Sequence, residues 1–144
     1  MRIAIGSDHR GFELKQDLIE YLEVSGIQYN DFGTYSTDSV DYPDIAQPVG
    51  RAVGNGEYDY GILICGSGIG MCIAANKIKK IRAALCSDLF DAERARKHND
   101  ANIVCLSAEK TKKELARDIV NTFITTKFEG GRHLRRVQKL ESIE

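Results

Sequence analysis

Residues 60–70, Tyr60-Gly61-Ile62-Leu63-Ile64-Cys65-Gly66-Ser67-Gly68-Ile69-Gly70, decide how this chain folds. The first half, Tyr60–Cys65, is almost continuously apolar, as a strand covered on both faces should be. The second half is a glycine-rich turn leading into Ala74-Ala75-Asn76, which reads as helix. A buried strand that passes into a helix through a short glycine loop is the building unit of a parallel α/β sheet.

Upstream, Arg2–Ser7 reads as a first strand. Phe12 to Gly26 reads as a helix with Leu14, Leu18 and Leu22 at helical spacing and Gly26 as its stop signal. Ile27–Phe32 gives a second strand, and Gly33–Tyr42 a polar loop. Pro43 suits the first position of a helix whose Ile45, Val49 and Val53 share one face. Pro48 conflicts with that helix, because it removes a backbone donor and crowds the preceding turn, so a kink or a late start is expected. Downstream, Arg82–Cys86 and Asn102–Leu106 read as strands, Leu89–Lys97 and Glu109–Thr126 as helices. A last helix after Gly130-Gly131 carries Leu134, Val137 and Leu140. The expected fold is α/β: a three-layer, Rossmann-like domain over residues 1–144, its five-stranded parallel sheet covered by helices on both faces.

A chain of 144 residues buries roughly 70% of its unfolded surface, enough to form a core without disulfide or metal. Its composition, 42% hydrophobic and 28% charged with 2 Pro, is that of a globular domain. A formal net charge of −1 argues against a nucleic-acid partner, which would call for a basic excess. The basic groups Lys77, Lys79, Lys80, Arg82 and Arg132, Arg135, Arg136 are local, so the anion they suit is small. No apolar run approaches the ~20 residues of a membrane helix, and the N-terminus reads as a strand and not a signal peptide. Cys65, Cys72, Cys86 and Cys105 contain no C-x-x-C pair, which leaves reduced thiols in a cytoplasmic protein as the expectation and no metal site.

In open parallel sheets ligands bind beyond the C-terminal ends of the strands. Those ends deliver Ser7-Asp8-His9, Cys65 through Gly70, and Ser87-Asp88; His98-Asn99-Asp100, at the end of the helix before the fifth strand, is expected on the same rim. The turn after Cys65 presents backbone N–H groups at a helix N-terminus, a place for a phosphate or a developing oxyanion. Cys65 stands at its mouth, where the same field favours a thiolate able to attack carbon or take a proton. A dinucleotide fingerprint is the competing reading, with Asp88 as ribose ligand, but Met71 occupies the position of its third glycine. For Cys72, Cys86 and Cys105 a buried structural role is the expectation. Arg132 and Arg136, four apart, lie on one helical face and can clamp a phosphate, or form a solvated basic helix end.

Gly6-Ser7-Asp8-His9-Arg10-Gly11, Asp41-Tyr42-Pro43-Asp44, Cys65 through Gly70, Ala74-Ala75-Asn76-Lys77, His98-Asn99-Asp100-Ala101-Asn102 and Glu129-Gly130-Gly131-Arg132-His133 together resemble the ribose-5-phosphate isomerase type B family, in order and over nearly the whole chain. The resemblance implies an aldose–ketose isomerase that interconverts ribose 5-phosphate and ribulose 5-phosphate without cofactor or metal. It implies Cys65 as the base, His98 as the residue that assists ring opening with Tyr42 nearby, and Asp8 as the handler of the hydroxyl protons. Gly66, Gly68, Ile69 and Gly70, with Ser67, would hold the enediolate oxygen, His9, Arg132 and Arg136 the phosphate, and Asn99 a sugar hydroxyl. It further implies a homodimer, in some members a tetramer, with each site completed by the partner chain and the last helix, about 131–143, packed on that partner. Where several members carry a phosphate-binding arginine past the fifth strand, this chain has Glu109, with Lys110 beside it. Six-carbon sugar phosphates remain open as substrates. The rival readings are acyl or phosphoryl transfer with Cys65 as nucleophile and a non-catalytic nucleotide-binding module.

Overall fold

Tyr60–Cys65 is the central strand of a five-stranded, all-parallel sheet in a computed structural model that describes residues 1–143. The elements in chain order are β1 (Arg2–Ser7), α1 (Phe12–Val24), β2 (Gln28–Asp31), α2 (Tyr42–Gly54), β3 (Tyr60–Cys65), α3 (Ile69–Asn76), β4 (Ala83–Leu85), α4 (Leu89–Asn99), β5 (Ile103–Ser107), α5 (Lys113–Thr125) and α6 (Arg132–Glu141). The strand order is β2-β1-β3-β5-β4. Side chains alternate across the pleat, so Ile62 and Ile64 enter one core with Leu18, Leu22, Ala92, Ile119 and Phe123 of α1, α4 and α5. Leu63 and Cys65 enter the other, with Ala46 and Val49 of α2 and Met71 and Ala75 of α3. This gives the expected three layers. Cys65 therefore projects toward α2 and α3.

Local chemistry sets the element ends. After α1 the amide of Gly26 donates to Glu23 O and that of Ile27 to Leu22 O, the paired bonds of a Schellman stop. α2 starts at Tyr42 and runs through Pro48, so of the kink or late start expected there the late start does not occur. A mid-helix proline costs about 3 kcal/mol. Burial of Val49 and Val53 on the same helix, at roughly 1.5–3 kcal/mol each, together with Ala46 and Ala52, outweighs that cost. α5 begins at Lys113 and not Glu109, because Ser107 closes a turn first: its carbonyl accepts from the Thr111 amide and its Oγ from the Lys110 amide.

One lysine is fully buried. Lys15 lies on the inward face of α1 with Leu18 and Leu22, and its Nζ donates to Asp31 Oδ1 at 2.6 Å and to the Thr34 carbonyl at 2.5 Å. Burying an ammonium is tolerated only with such partners. The pair ties the Gly33-Thr34 segment to α1, and that segment exchanges two backbone hydrogen bonds with Ser7 at the end of β1. Among the described residues, no helix is long and apolar enough to cross a membrane.

Candidate active site

The C-terminal edge of the sheet gathers Asp8, His9, Tyr42, Cys65 and the turn behind it. Asp8 follows β1, is 6% exposed, and its Oδ1 accepts from the amides of Arg10 (2.9 Å) and Gly11 (3.1 Å). Among the described residues Oδ2 has no hydrogen bond, so half of the carboxylate is left for a ligand. Nδ1 of His9 accepts from the Val40 amide at 3.3 Å, which for the neutral ring leaves the proton on Nε2.

Cys65, 4% exposed, ends β3, and its Sγ accepts from the Gly68 amide at 3.2 Å. Gly68 adopts φ 75°, which turns that amide back onto the sulfur and starts α3. The Ile69 amide donates to Ser67 Oγ at 3.2 Å. Two of the amides expected to hold an oxyanion are thus already occupied, and those of Gly66, Ser67 and Gly70 have no acceptor among the described residues. The Gly66 carbonyl is anchored from below by Ser107 Oγ (2.7 Å) and the Glu109 amide (3.0 Å). Tyr42 packs its ring directly on Gly70, where a Cβ would stand 2.7 Å from the ring's Cζ.

His98 and Asn99 are not on this rim. A crossover helix runs antiparallel to the strands it joins, so the end of α4 lies at the N-terminal edge of β4 and β5. The bonding there confirms it: Arg82, just before β4, donates from Nε to the carbonyls of Asn99 and Asp100, and the Asn102 amide donates to the Arg82 carbonyl. The expectation that these groups share a rim with Cys65 is therefore corrected. α6 starts at this second edge, with the Glu129 amide donating to the Lys97 carbonyl. The His98 and His133 rings stack with centroids 4.1 Å apart and planes 10° from parallel. Arg132 and Arg136 are exposed on the first turns of α6, and Asn99 is exposed at the end of α4. Arg82 also pairs with Glu141, clipping the far end of α6.

His133, which the sequence places only within the Glu129–His133 motif, is buried with Val137, four residues on, as the inner face of α6. Among the described residues its Nε2 has no hydrogen bond, and it stands 3.9 Å from Glu129 Oε1. Burial, then the nearby His98 and Arg132, push its ring below the usual histidine range. Donor atoms of His98, Glu129 and His133 lie within 4.8 Å of one another. Near-parallel stacked rings hold their lone pairs side by side, whereas a tetrahedral ion needs them to converge, so this set fits stacking better than ligation. Of the remaining thiols, burial pushes Cys86 up to about 12, and a hydrogen bond with Cys72 together with burial raises Cys105. Cys72, half-buried in α3, differs: hydrogen bonds from Cys105, the Leu85 backbone and Asn76 bring it down to about 7 against the effect of its burial.

Comparison with known proteins matches residues 3–140 to the family described as Ribose/Galactose Isomerase. The chain is 48% identical to ribose-5-P isomerase B of Listeria innocua over 100% of this chain and 97% of that one. It superposes on the crystal structure of a ribose 5-phosphate isomerase from Thermotoga maritima with a TM-score of 0.97 at 51% identity, covering 99% and 98% of the two chains. It is likewise similar to ribose-5-phosphate isomerase B from Mycoplasma genitalium with bound ribulose-5-phosphate, at a TM-score of 0.93 and 42% identity over 97% and 93%. The end-to-end match in sequence and in fold, over the very segments that build both rims, shows that the chain belongs to the ribose/galactose isomerase family.

Proposed function

We propose that the protein interconverts D-ribose 5-phosphate and D-ribulose 5-phosphate through an enediolate, with Cys65 as the base, in sites built from two copies of the chain. The observation that carries the chemistry is the turn at residues 65–70. A buried sulfur, fixed by the Gly68 amide, stands in the same turn as the uncommitted amides of Gly66, Ser67 and Gly70. Taking the proton from the carbon beside the carbonyl places charge on oxygen, and the Gly66 and Ser67 amides are positioned to receive it. One aligned donor of this kind is worth about 3 kcal/mol. Cys65 returns the proton to the neighbouring carbon, while Oδ2 of Asp8 passes the other proton between the two oxygens. The reaction moves protons and an electron pair within one molecule, so it calls for no external oxidant.

The sharing of sites rests on the two rims. Cys65, Asp8 and His9 sit at one edge, His98, Asn99, Arg132 and Arg136 at the other, too separated by the sheet to act on one small sugar within a chain. A second copy brings them together, His98 opening the ring, Asn99 holding a hydroxyl, and Arg132 and Arg136 gripping the phosphate with His9. The surface supports such a partner: Ile69 and Ile73 of α3, Leu85 of β4, Leu89 and Phe90 of α4 and Leu134 of α6 are each at least 40% exposed, all on elements at the β4 side of the sheet.

The test is proton NMR of ribose 5-phosphate in D₂O, with chelator present, for the wild type and Cys65→Ala. Ketose formation with deuterium incorporated at the sugar carbon is expected, unaffected by chelator and reduced by roughly 10²–10⁴ in the variant. A variant with wild-type turnover removes Cys65 from the mechanism. A wild type inert toward five- and six-carbon sugar phosphates alike overturns the reading.

A further inference from the structure

We propose that Arg10 is a substrate-binding residue, a cation that Glu109 holds over the Cys65–Gly70 turn and that selects for a phosphorylated sugar. This inference rests on the isomerase reading of the same site. Arg10 Nη1 donates to Glu109 Oε1 at 2.5 Å, joining the loop after β1 to the loop after β5. The bridge passes directly above Gly66: a Cβ there would meet Arg10 Cδ and Glu109 Oε1, each at 3.0 Å. The backbones of both residues are pinned to groups of the site. The Arg10 amide is bonded to Asp8 Oδ1, and the Glu109 amide to the Gly66 carbonyl.

The side chains of Arg10 and Glu109 are 63% and 57% exposed. Exposed pairs of this kind contribute little to stability. Their position matters more. An unpaired Glu109 carboxylate beside the free Gly66 amide would repel any anion approaching the turn, and Arg10 cancels that charge. The guanidinium has five N–H donors, and Glu109 takes only one of them, with no other side-chain bond of Arg10 among the described residues. The remaining donors form a flat fork suited to two oxygens of a phosphate. Glu109 thus serves as a positioning residue, fixing the fork in the geometry it needs.

Inorganic phosphate is the probe, with its Kd measured by isothermal titration for the wild type, Arg10→Ala, Arg10→Lys and Glu109→Gln. For the same proteins, kcat and KM with ribose 5-phosphate are measured alongside melting temperatures. Arg10→Ala is expected to weaken phosphate binding about tenfold and to raise KM in step, with kcat held within about threefold. Arg10→Lys should recover part of that loss. Glu109→Gln keeps an acceptor for Arg10 and removes the charge, so it should tighten phosphate about threefold at low salt, an effect that fades at high salt. A purely structural strap would lower the melting temperatures and leave the phosphate constants within twofold of wild type, and that result overturns the proposal. Should Arg10→Ala not fold, the lysine and Glu109→Gln variants decide alone. Failure of the isomerase reading would show separately, as a wild type without turnover, while the phosphate series still reports on Arg10.

Discussion

At the C-terminal edge of the sheet, the functional side chains are held by backbone: Asp8 by two amides, His9 by one, Cys65 by one. At the N-terminal edge they are held by one another, His98 stacked on His133 and Arg82 clasping Asp100 and Glu141, while Arg132 and Arg136 reach outward. On the proposed reading the first edge supplies the base and the oxyanion donors, and the second supplies cations and a ring able to pass a proton. The difference follows from strand polarity. Loops after strands present backbone donors and short polar side chains, whereas helix ends before strands gather basic residues against the carbonyl end of α4. If those roles hold, neither edge alone supplies a complete isomerase site, and the proposal of two chains per site follows from that.

The sharpest way to break that comparison is complementation. Cys65→Ala and His98→Ala are each expected to retain no more than about 1% of activity as pure proteins. Co-expressed in equal amounts, they should recover about a quarter of wild-type activity, the share of sites assembled from two intact halves in a random mixture of dimers. No recovery, or full activity in monomers on dilution, would mean that each chain works alone.

A smaller effect separates the rims by stability. Lys15→Met leaves Asp31 and the Thr34 carbonyl without their cation, and should cost on the order of 3 kcal/mol in urea unfolding. The loss should disturb the loop beside Ser7 and leave the imidazole NMR signals of His98 and His133 in place. Shifts in both histidines would show that the edges are mechanically coupled. The smallest effect is on pH. The His133 ring titrates below its ordinary ~6.5 in the fold, so folding favours its neutral form. Its contribution is complete above the unfolded value and is lost as pH falls through the lowered folded one. Wild-type melting temperature should drop on acidification below about 6.5, and a His133→Gln variant should show a flatter profile there. An unchanged profile in the variant would place the acid sensitivity elsewhere in the fold.

The alternation of apolar runs was enough to read all five strands, because buried parallel strands such as Tyr60–Cys65 and Ile103–Ser107 leave little room for polar residues. The placement of Cys65, Asp8 and His9 at strand C-termini was equally legible, since it follows from where the strands end. His98 was placed on the wrong edge for a reason visible in hindsight from chain direction alone: a helix that precedes a strand ends where that strand begins. Lys15 and His133 were not read as interior. Each does fall in its helix's inward stripe, Lys15 with Leu18 and Leu22, His133 with Val137. The spacing was therefore a usable signal, but the partners that make burial tolerable, Asp31 for Lys15 and His98 for His133, are distant in sequence and appear only once the chain is folded.

The contrast between Cys65 and Cys72 matters for anyone who labels this protein. Cys65 is 4% exposed and lies under its own turn, while Cys72 is more accessible and its thiol is brought down to about 7. Alkylating reagents react with thiolates they can reach. At neutral pH such a reagent should therefore modify Cys72 first, and a bulky one should modify it alone. Inactivation by iodoacetamide in the wild type would then say little about the base, and the informative target is a Cys72→Ala background treated with the smallest electrophile available.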